Sequence, residues 1–171
     1  MQASARGHHE QVTATTSNER IIGVVSDTHG LLRAEAIHAL RGSELILHAG
    51  DIGQAAVIDE LERIAPVRAV RGNVDGERWA MDLPDRLSVE ADGVWMYLLH
   101  DVSMLDIEPR ASGFSVVVHG HSHKPRNEAR NGVLYFNPGS AGPRRFHLPV
   151  TVGRLVIRGG TVRGSIIELG V

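Results

Sequence analysis

Five short polar clusters carry the residues with chemistry: Asp27-Thr28-His29, Gly50-Asp51, Gly72-Asn73, His100-Asp101 and Gly120-His121-Ser122-His123. Each follows an apolar run with at most two residues between. Carboxylate, imidazole and amide oxygen together make a mixed nitrogen–oxygen donor set. Without thiolate such a set suits Mn, Fe, Zn or Ni better than Cu(I), and it is too rich in imidazole for Ca or Mg alone. Residues two apart in an extended segment project the same way, so Asp27 with His29, and His121 with His123, are expected to converge. Asp51, with two carboxylate oxygens, is the natural bridge between two ions, and Asn73 adds a neutral oxygen. Singly these motifs are weak: a D-x-H triplet is frequent by chance, and a histidine at a strand end is usually a structural hydrogen-bonder. The signal is the ordered set, each piece behind its own strand.

The elements that would position them begin at Ile21. Ile21–Val25 is a short continuous apolar run, as in a strand buried on both faces. A helix is expected over Leu31–Arg41, with Gly42 as its C-terminal stop, and a second strand over Leu45–Leu47. Val57, Ile58, Leu61 and Ile64 form the apolar stripe of a second helix over Gln54–Ile64, ended by Pro66 ahead of a third strand, Val67–Val70. This β-α-β-α-β order implies a parallel sheet with right-handed crossovers. Asp92-Gly93 then joins Arg86–Ala91 to Val94–Leu99 as a hairpin, a short helix is allowed within Val102–Ser112, and Ser115–Val118 is a strand. Asn131-Gly132 and Gly159-Gly160 make two further hairpin turns, the latter between Thr151–Ile157 and Thr161–Leu169. The expectation is one α+β domain over residues 20–171, parallel first and antiparallel later, behind a disordered polar tail, 1–19, that contains His8 and His9. In open sheets sites form beyond the carboxyl ends of strands, which is where all five clusters fall.

Composition removes several classes of function. With 171 residues, 42% hydrophobic, the chain buries a core without staples. No cysteine means no disulfide, thiolate zinc site, iron–sulfur cluster or cysteine nucleophile, whereas histidine is abundant, at ten. A net charge of −2 and no basic stripe disfavour nucleic acid as a partner. No run approaches the ~18 apolar residues of a membrane span, and Met1–Arg20 lacks the apolar segment of a secretory signal, so a cytoplasmic location is expected.

The ordered motifs D-x-H, G-D, G-N, H and G-H-x-H resemble the calcineurin-like metallophosphoesterase superfamily over about residues 21–170. The Asp27-Thr28-His29-Gly30 form and the Asn137-Pro138-Gly139-Ser140 segment are similar to its small bacterial and archaeal phosphodiesterase branch. The resemblance implies an αββα sandwich of two mixed β-sheets flanked by helices, and two divalent transition-metal ions (Mn, Ni, Fe or Zn). By motif, Asp27, His29, Asp51 and His123 would hold one ion, and Asp51, Asn73, His100 and His121 the other. It implies hydrolysis of a small phosphoester by a metal-bridging hydroxide, with Asn73 and His100 also touching substrate; the homo-oligomeric state is left open. The alternative is a non-catalytic scaffold: the retromer complex has a subunit of this fold with a degraded metal site. The seven intact ligand positions favour an enzyme.

Val74 stands where many superfamily members have a histidine general acid. That leaves His119 as the candidate proton donor, against a packed strand-end histidine, and Asp75, read as a turn residue before Gly76. Asp101 reads as a cap on Val102 onward, and His48 as core packing that also has the position to orient Asp51. Among Arg71, Arg144 and Arg145, Arg144 is the expected contact to substrate phosphate. Asn137 and Ser140 are explained by their Pro-Gly turn, and His38 and His147 have no motif partners.

Overall fold

A strand with apolar residues on both faces needs cover on both sides, and the run at Ile21–Val25 obtains it. In the computed structural model, which describes residues 19–171, it forms β1 (Arg20–Val25). Ile22 and Val24 face the centre of the molecule, while Val25 faces the helices. The expected tail, with His8 and His9, lies outside the described residues except for Glu19. Then come α1 (Ala34–Leu40), β2 (Leu45–His48), α2 (Ala55–Glu62) and β3 (Val67–Ala69). The parallel pairing of β1 with β2 and of β2 with β3 is as the sequence order requires. The first helix is shorter than expected: Leu31–Arg33 stay outside it, and Arg33 is its extended N-cap.

The later chain gives β4 (Arg86–Ala91), β5 (Val94–Leu99), β6 (Val116–Val118), β7 (Arg126–Arg130), β8 (Val133–Asn137), β9 (Thr151–Arg158) and β10 (Thr161–Glu168). Two five-stranded mixed sheets result, ordered β10-β9-β1-β2-β3 and β4-β5-β6-β8-β7. The last hairpin therefore extends the first sheet, pairing β9 antiparallel to β1. The expectation of antiparallel pairing in the second half is corrected by β5, β6 and β8, which are mutually parallel. Neither crossover contains an α-helix, since one holds only a 3-10 turn and the other the strand β7, so no helical periodicity announced it.

Alternation builds the layers. Met96, Leu98, Val116 and Val118 meet Ile22, Val24, Leu47 and Leu155 between the sheets, while Tyr97, Leu99 and Val117 face outward. Helices α1 and α2 cover the first sheet through Leu40, Val57 and Leu61. Over the second sheet the outer layer is irregular chain: Val102, Leu105, Ile107 and Phe114 pack on Tyr97 and Val117. The helix expected within Val102–Ser112 is only a 3-10 turn, Val102–Met104. No helix among the described residues is long and apolar enough to cross a membrane.

Candidate metal centre

Asp27, Asp51, His100 and His123 are buried, His29 is half-buried, and Asn73 and His121 are exposed. The structure brings all seven together at the carboxyl ends of β1, β2, β3, β5 and β6. Donor atoms of Asp27, His29 and His123 lie within 4.8 Å of one another, and so do those of Asp27, Asp51 and His100. Asn73 Oδ1 lies 3.0 Å from His100 Nε2 and 3.1 Å from His121 Nδ1.

Convergence does not arise from extended geometry. Asp27, His29, Asp51, His121 and His123 all have left-handed backbones, with φ between 47° and 68°. For residues other than glycine this conformation is uncommon and costs roughly 1–2 kcal/mol each. Strain of this kind persists where the surroundings over-determine it, and it collects at functional sites. Backbone bonds do the determining: Asp27 N–H donates to Gly50 O at 3.0 Å, and His29 N–H to Asp51 O at 3.0 Å. Glycine permits the close approach. A Cβ on Gly72 would overlap the backbone nitrogen and Oδ1 of Asp51, and one on Gly120 would overlap Ser26 Oγ.

Side chains read as structural turn out to hold these loops. The Asp75 carboxylate is buried and accepts from the N–H groups of Ile52 (3.1 Å), Gly53 (2.9 Å) and Gly72 (2.8 Å). It is therefore more than a turn residue, because it ties the loop after β2 to the loop after β3. The sequence signal was present: an acid three residues after the loop glycine can accept that glycine's own N–H. Buried His48 takes the Gly50 N–H on Nδ1 and gives Nε2–H to Thr28 Oγ1 at 3.0 Å, whose hydroxyl donates to Ile52 O. It orients the loop that carries Asp51 rather than merely filling the core. Burial holds His48 down to about 4, so at neutral pH it is uncharged. Asn137, also buried, donates to Gly120 O at 2.8 Å and accepts from Gly139 N–H, and Ser140 Oγ donates to Asp27 O. The Asn-Pro-Gly-Ser turn thus supports the loops carrying His121 and Asp27.

The potential ligand atoms face one another. His100 Nδ1–H donates to Ala49 O at 2.7 Å, which in the neutral ring leaves Nε2 as a lone pair 3.4 Å from Asp51 Oδ2. His29 Nε2 and His123 Nε2 are 3.3 Å apart. Asp27 Oδ1 is buried, 3.3 Å from His123 Nε2, and has no hydrogen-bond partner among the described residues. Carboxylate and imidazole atoms packed this closely favour positive charge among them. Protons fill part of that role: burial works against charge on His100, yet the hydrogen bonds to Asp51 and to Ala49 O prevail and raise its pKa. Burial likewise opposes ionised Asp51, but His100, the Val74 N–H and His29 hold it at about 2. A nitrogen and oxygen set of this kind, with His100 and Asp51 held from behind by backbone, fits divalent metal ions.

Arg144 bonds the Val171 carbonyl, whereas Arg145 places Nη2 3.5 Å from His29 Nε2. Arg71 is held by Asp85 at 2.7 and 3.0 Å. His119 is buried, and burial brings its pKa to about 4, so the ring carries no imidazolium proton at neutral pH. Asp101 accepts the Ser103 N–H at 2.9 Å, the cap expected of it, and lies 3.8 Å from His121 Nε2. His38 and His147 are exposed.

Residues 21–160 match the family model of the calcineurin-like phosphoesterase superfamily domain. A probable metallophosphoesterase of Methanothermobacter thermautotrophicus is 34% identical over 162 residues, covering 88% of this chain and 93% of its own. A phosphodiesterase of Methanocaldococcus jannaschii is 34% identical over 165 residues, covering 86% and 99%. Among solved structures, an archaeal phosphodiesterase superposes with a TM-score of 0.73 at 29% identity, covering 86% of this chain and 99% of its own. Vacuolar protein sorting 29 of Cryptosporidium parvum reaches 0.70 at 18% identity, covering 88% and 97%, a likeness of fold alone.

Proposed function

The chain belongs to the calcineurin-like phosphoesterase superfamily, and from that membership we propose that it is a phosphodiesterase of small phosphoesters working with two divalent metal ions. Metal-dependent phosphoester hydrolysis is the activity its relatives' names carry. Residues 20–171 make up the catalytic unit. Asp27, His29, Asp51 and His123 hold one ion, and Asp51, Asn73, His100 and His121 the other. The observation that carries this reading is the convergence of the ligating atoms of His100, Asp51, Asn73, His29, His123 and Asp27, with Asp27 Oδ1 left without a hydrogen-bond partner among the described residues.

Bound there, the ions supply Lewis-acid stabilisation of phosphoryl charge and a water of lowered pKa. The protein's own part is orientation. Ser26 Oγ–H donates to Asp27 Oδ2 at 2.6 Å and the Val74 N–H to Asp51 Oδ1 at 3.0 Å, turning the remaining oxygens inward. Exposed Asn73 and His121 form the open edge by which a phosphoester enters. Arg145, beside His29, brings a guanidinium to the phosphoryl oxygens. At the general-acid position the Val74 side chain has no proton to give, and neutral His119 is a poor substitute.

Chelation should abolish hydrolysis of bis(p-nitrophenyl) phosphate, and Mn²⁺ or Ni²⁺ should restore it. Asp51→Asn should hurt most among ligand substitutions, since it weakens both ions. Undiminished activity in protein stripped of metal would refute the reading. A scaffold of the same fold would show no turnover with any metal.

A further inference from the structure

Negative charge is spread unevenly over the seven ligand positions. Asp27 and Asp51 both belong to the set of the first ion, whereas the second has only the shared Asp51, completed by the neutral side chains Asn73, His100 and His121. His121 is also the least secured of the ligand rings. Its side chain is 48% exposed, against 16% or less for His29, His100 and His123, so packing does little to orient it.

The two ring nitrogens of His121 meet different neighbours. Nδ1 lies 3.1 Å from Asn73 Oδ1, on the side of the centre. Nε2 lies 3.8 Å from Asp101 Oδ2, the one carboxylate within ion-pair distance of it among the described residues. Backbone places this pair. Gly120 N–H donates to His100 O at 2.9 Å, which sets the ends of β5 and β6 side by side. Ser103 N–H donates to Asp101 Oδ1 at 2.9 Å, which leaves Oδ2 for His121. The other acids bordering the adjoining clefts are engaged elsewhere, Asp85 by Arg71 and Glu128 by Arg126 and Arg130. A carboxylate on the far nitrogen of a ligand histidine fixes its tautomer and orientation and strengthens it as a donor.

Resting on the two-ion reading of this site, we propose that Asp101 is a positioning residue: it accepts from His121 Nε2–H, so that Nδ1 is presented to the second ion, and it brings the carboxylate charge that this ion's own ligands lack. One carboxylate oxygen caps the turn and the other holds the ligand.

Two substitutions separate these roles. Asp101→Asn keeps an oxygen for the Ser103 N–H, Asn being as good a cap as Asp, but removes the charge. Asp101→Glu keeps the charge on a longer stem that suits the turn less well. In calorimetric titration of metal-free protein with Mn²⁺, Asp101→Asn should weaken the second binding step about tenfold or more and the first by less than about threefold, while Asp101→Glu should stay within about threefold of the wild type at both. The Mn²⁺ concentration giving half-maximal hydrolysis should move by the same factor. In Zn²⁺-loaded protein with ¹⁵N-labelled histidine, NMR should place the His121 proton on Nε2, protected from exchange in the wild type and exchanging freely in Asp101→Asn. A second step unchanged by Asp101→Asn, or weakened as much by Asp101→Glu, would reduce Asp101 to a cap and overturn the proposal. A His121 proton on Nδ1 would overturn it as well, and each of these results leaves the phosphodiesterase reading intact. Two ions bound with this dependence on Asp101 but no hydrolysis would refute the activity and uphold the proposal. Binding of a single ion by the wild type would overturn both.

Discussion

Removing the Asp75 carboxylate should cost far more than a turn residue would. Asp75→Ala deletes three hydrogen bonds of 2.8–3.1 Å to a buried carboxylate and leaves the N–H groups of Ile52, Gly53 and Gly72 without acceptors. Each such bond is worth roughly 1.5–3 kcal/mol. Some of that returns because the Gly53 and Gly72 groups are only partly buried and can reach water. The net expectation is a loss of about 4 kcal/mol, at the top of what single substitutions do. For a domain of this size that lowers Tm by roughly 8–16 °C. Asp75→Asn keeps one acceptor oxygen but turns an NH₂ toward a donor, so it should fall between, at about 2 kcal/mol. Urea unfolding followed by circular dichroism, with and without Mn²⁺, measures both. Because the loops joined by Asp75 carry Asp51 and Asn73, metal affinity should fall along with stability. A loss below about 1 kcal/mol for Asp75→Ala, or unchanged metal affinity, would refute the assignment of Asp75 as the tie between these loops.

Gly72→Ala forces a Cβ onto the Asp51 backbone; it should yield little folded protein, or a Tm drop at least as large as that of Asp75→Ala, whereas Gly76→Ala, with open space, should be mild by the same melt. Stability of the metal-free protein should depend on pH through His48: it is held neutral to about 4 while the unfolded chain takes up its proton near 6.5, so stability rises with pH across that window. The loss from neutrality to about pH 4 is about 3 kcal/mol from this residue, and His48→Gln should remove that part of the slope in urea titrations. With Val74 apolar and His119 neutral, rates across aryl and alkyl diesters should depend steeply on leaving-group pKa, and Val74→His should rescue the poor leaving groups selectively. His119→Ala should leave that slope unchanged; a steeper slope in the variant would make His119 the proton donor after all.

The five clusters were legible because the physics that places them is local: an apolar run ends, and polar residues emerge at the sheet's edge. Most strands followed from apolar runs and turn signals, and the β4–β5 hairpin matches its expected bounds, Arg86–Ala91 and Val94–Leu99. What stayed hidden depends on contacts between distant segments. The left-handed backbones at Asp27, His29, Asp51, His121 and His123 follow from bonds between neighbouring loops, which spacing does not encode. The choice between Arg144 and Arg145 turns on the path of one loop. The parallel run β5-β6-β8 had no crossover helices to reveal it.

Titration of metal-free protein with Mn²⁺, reading bis(p-nitrophenyl) phosphate hydrolysis at each addition, tests the central claim most directly. Turnover should be absent at the start and climb to a plateau at two equivalents per chain, and Asp51→Asn should not reach it. Turnover before any metal is added, or saturable metal binding without turnover, would contradict the assignment of these seven side chains as the centre of a phosphodiesterase.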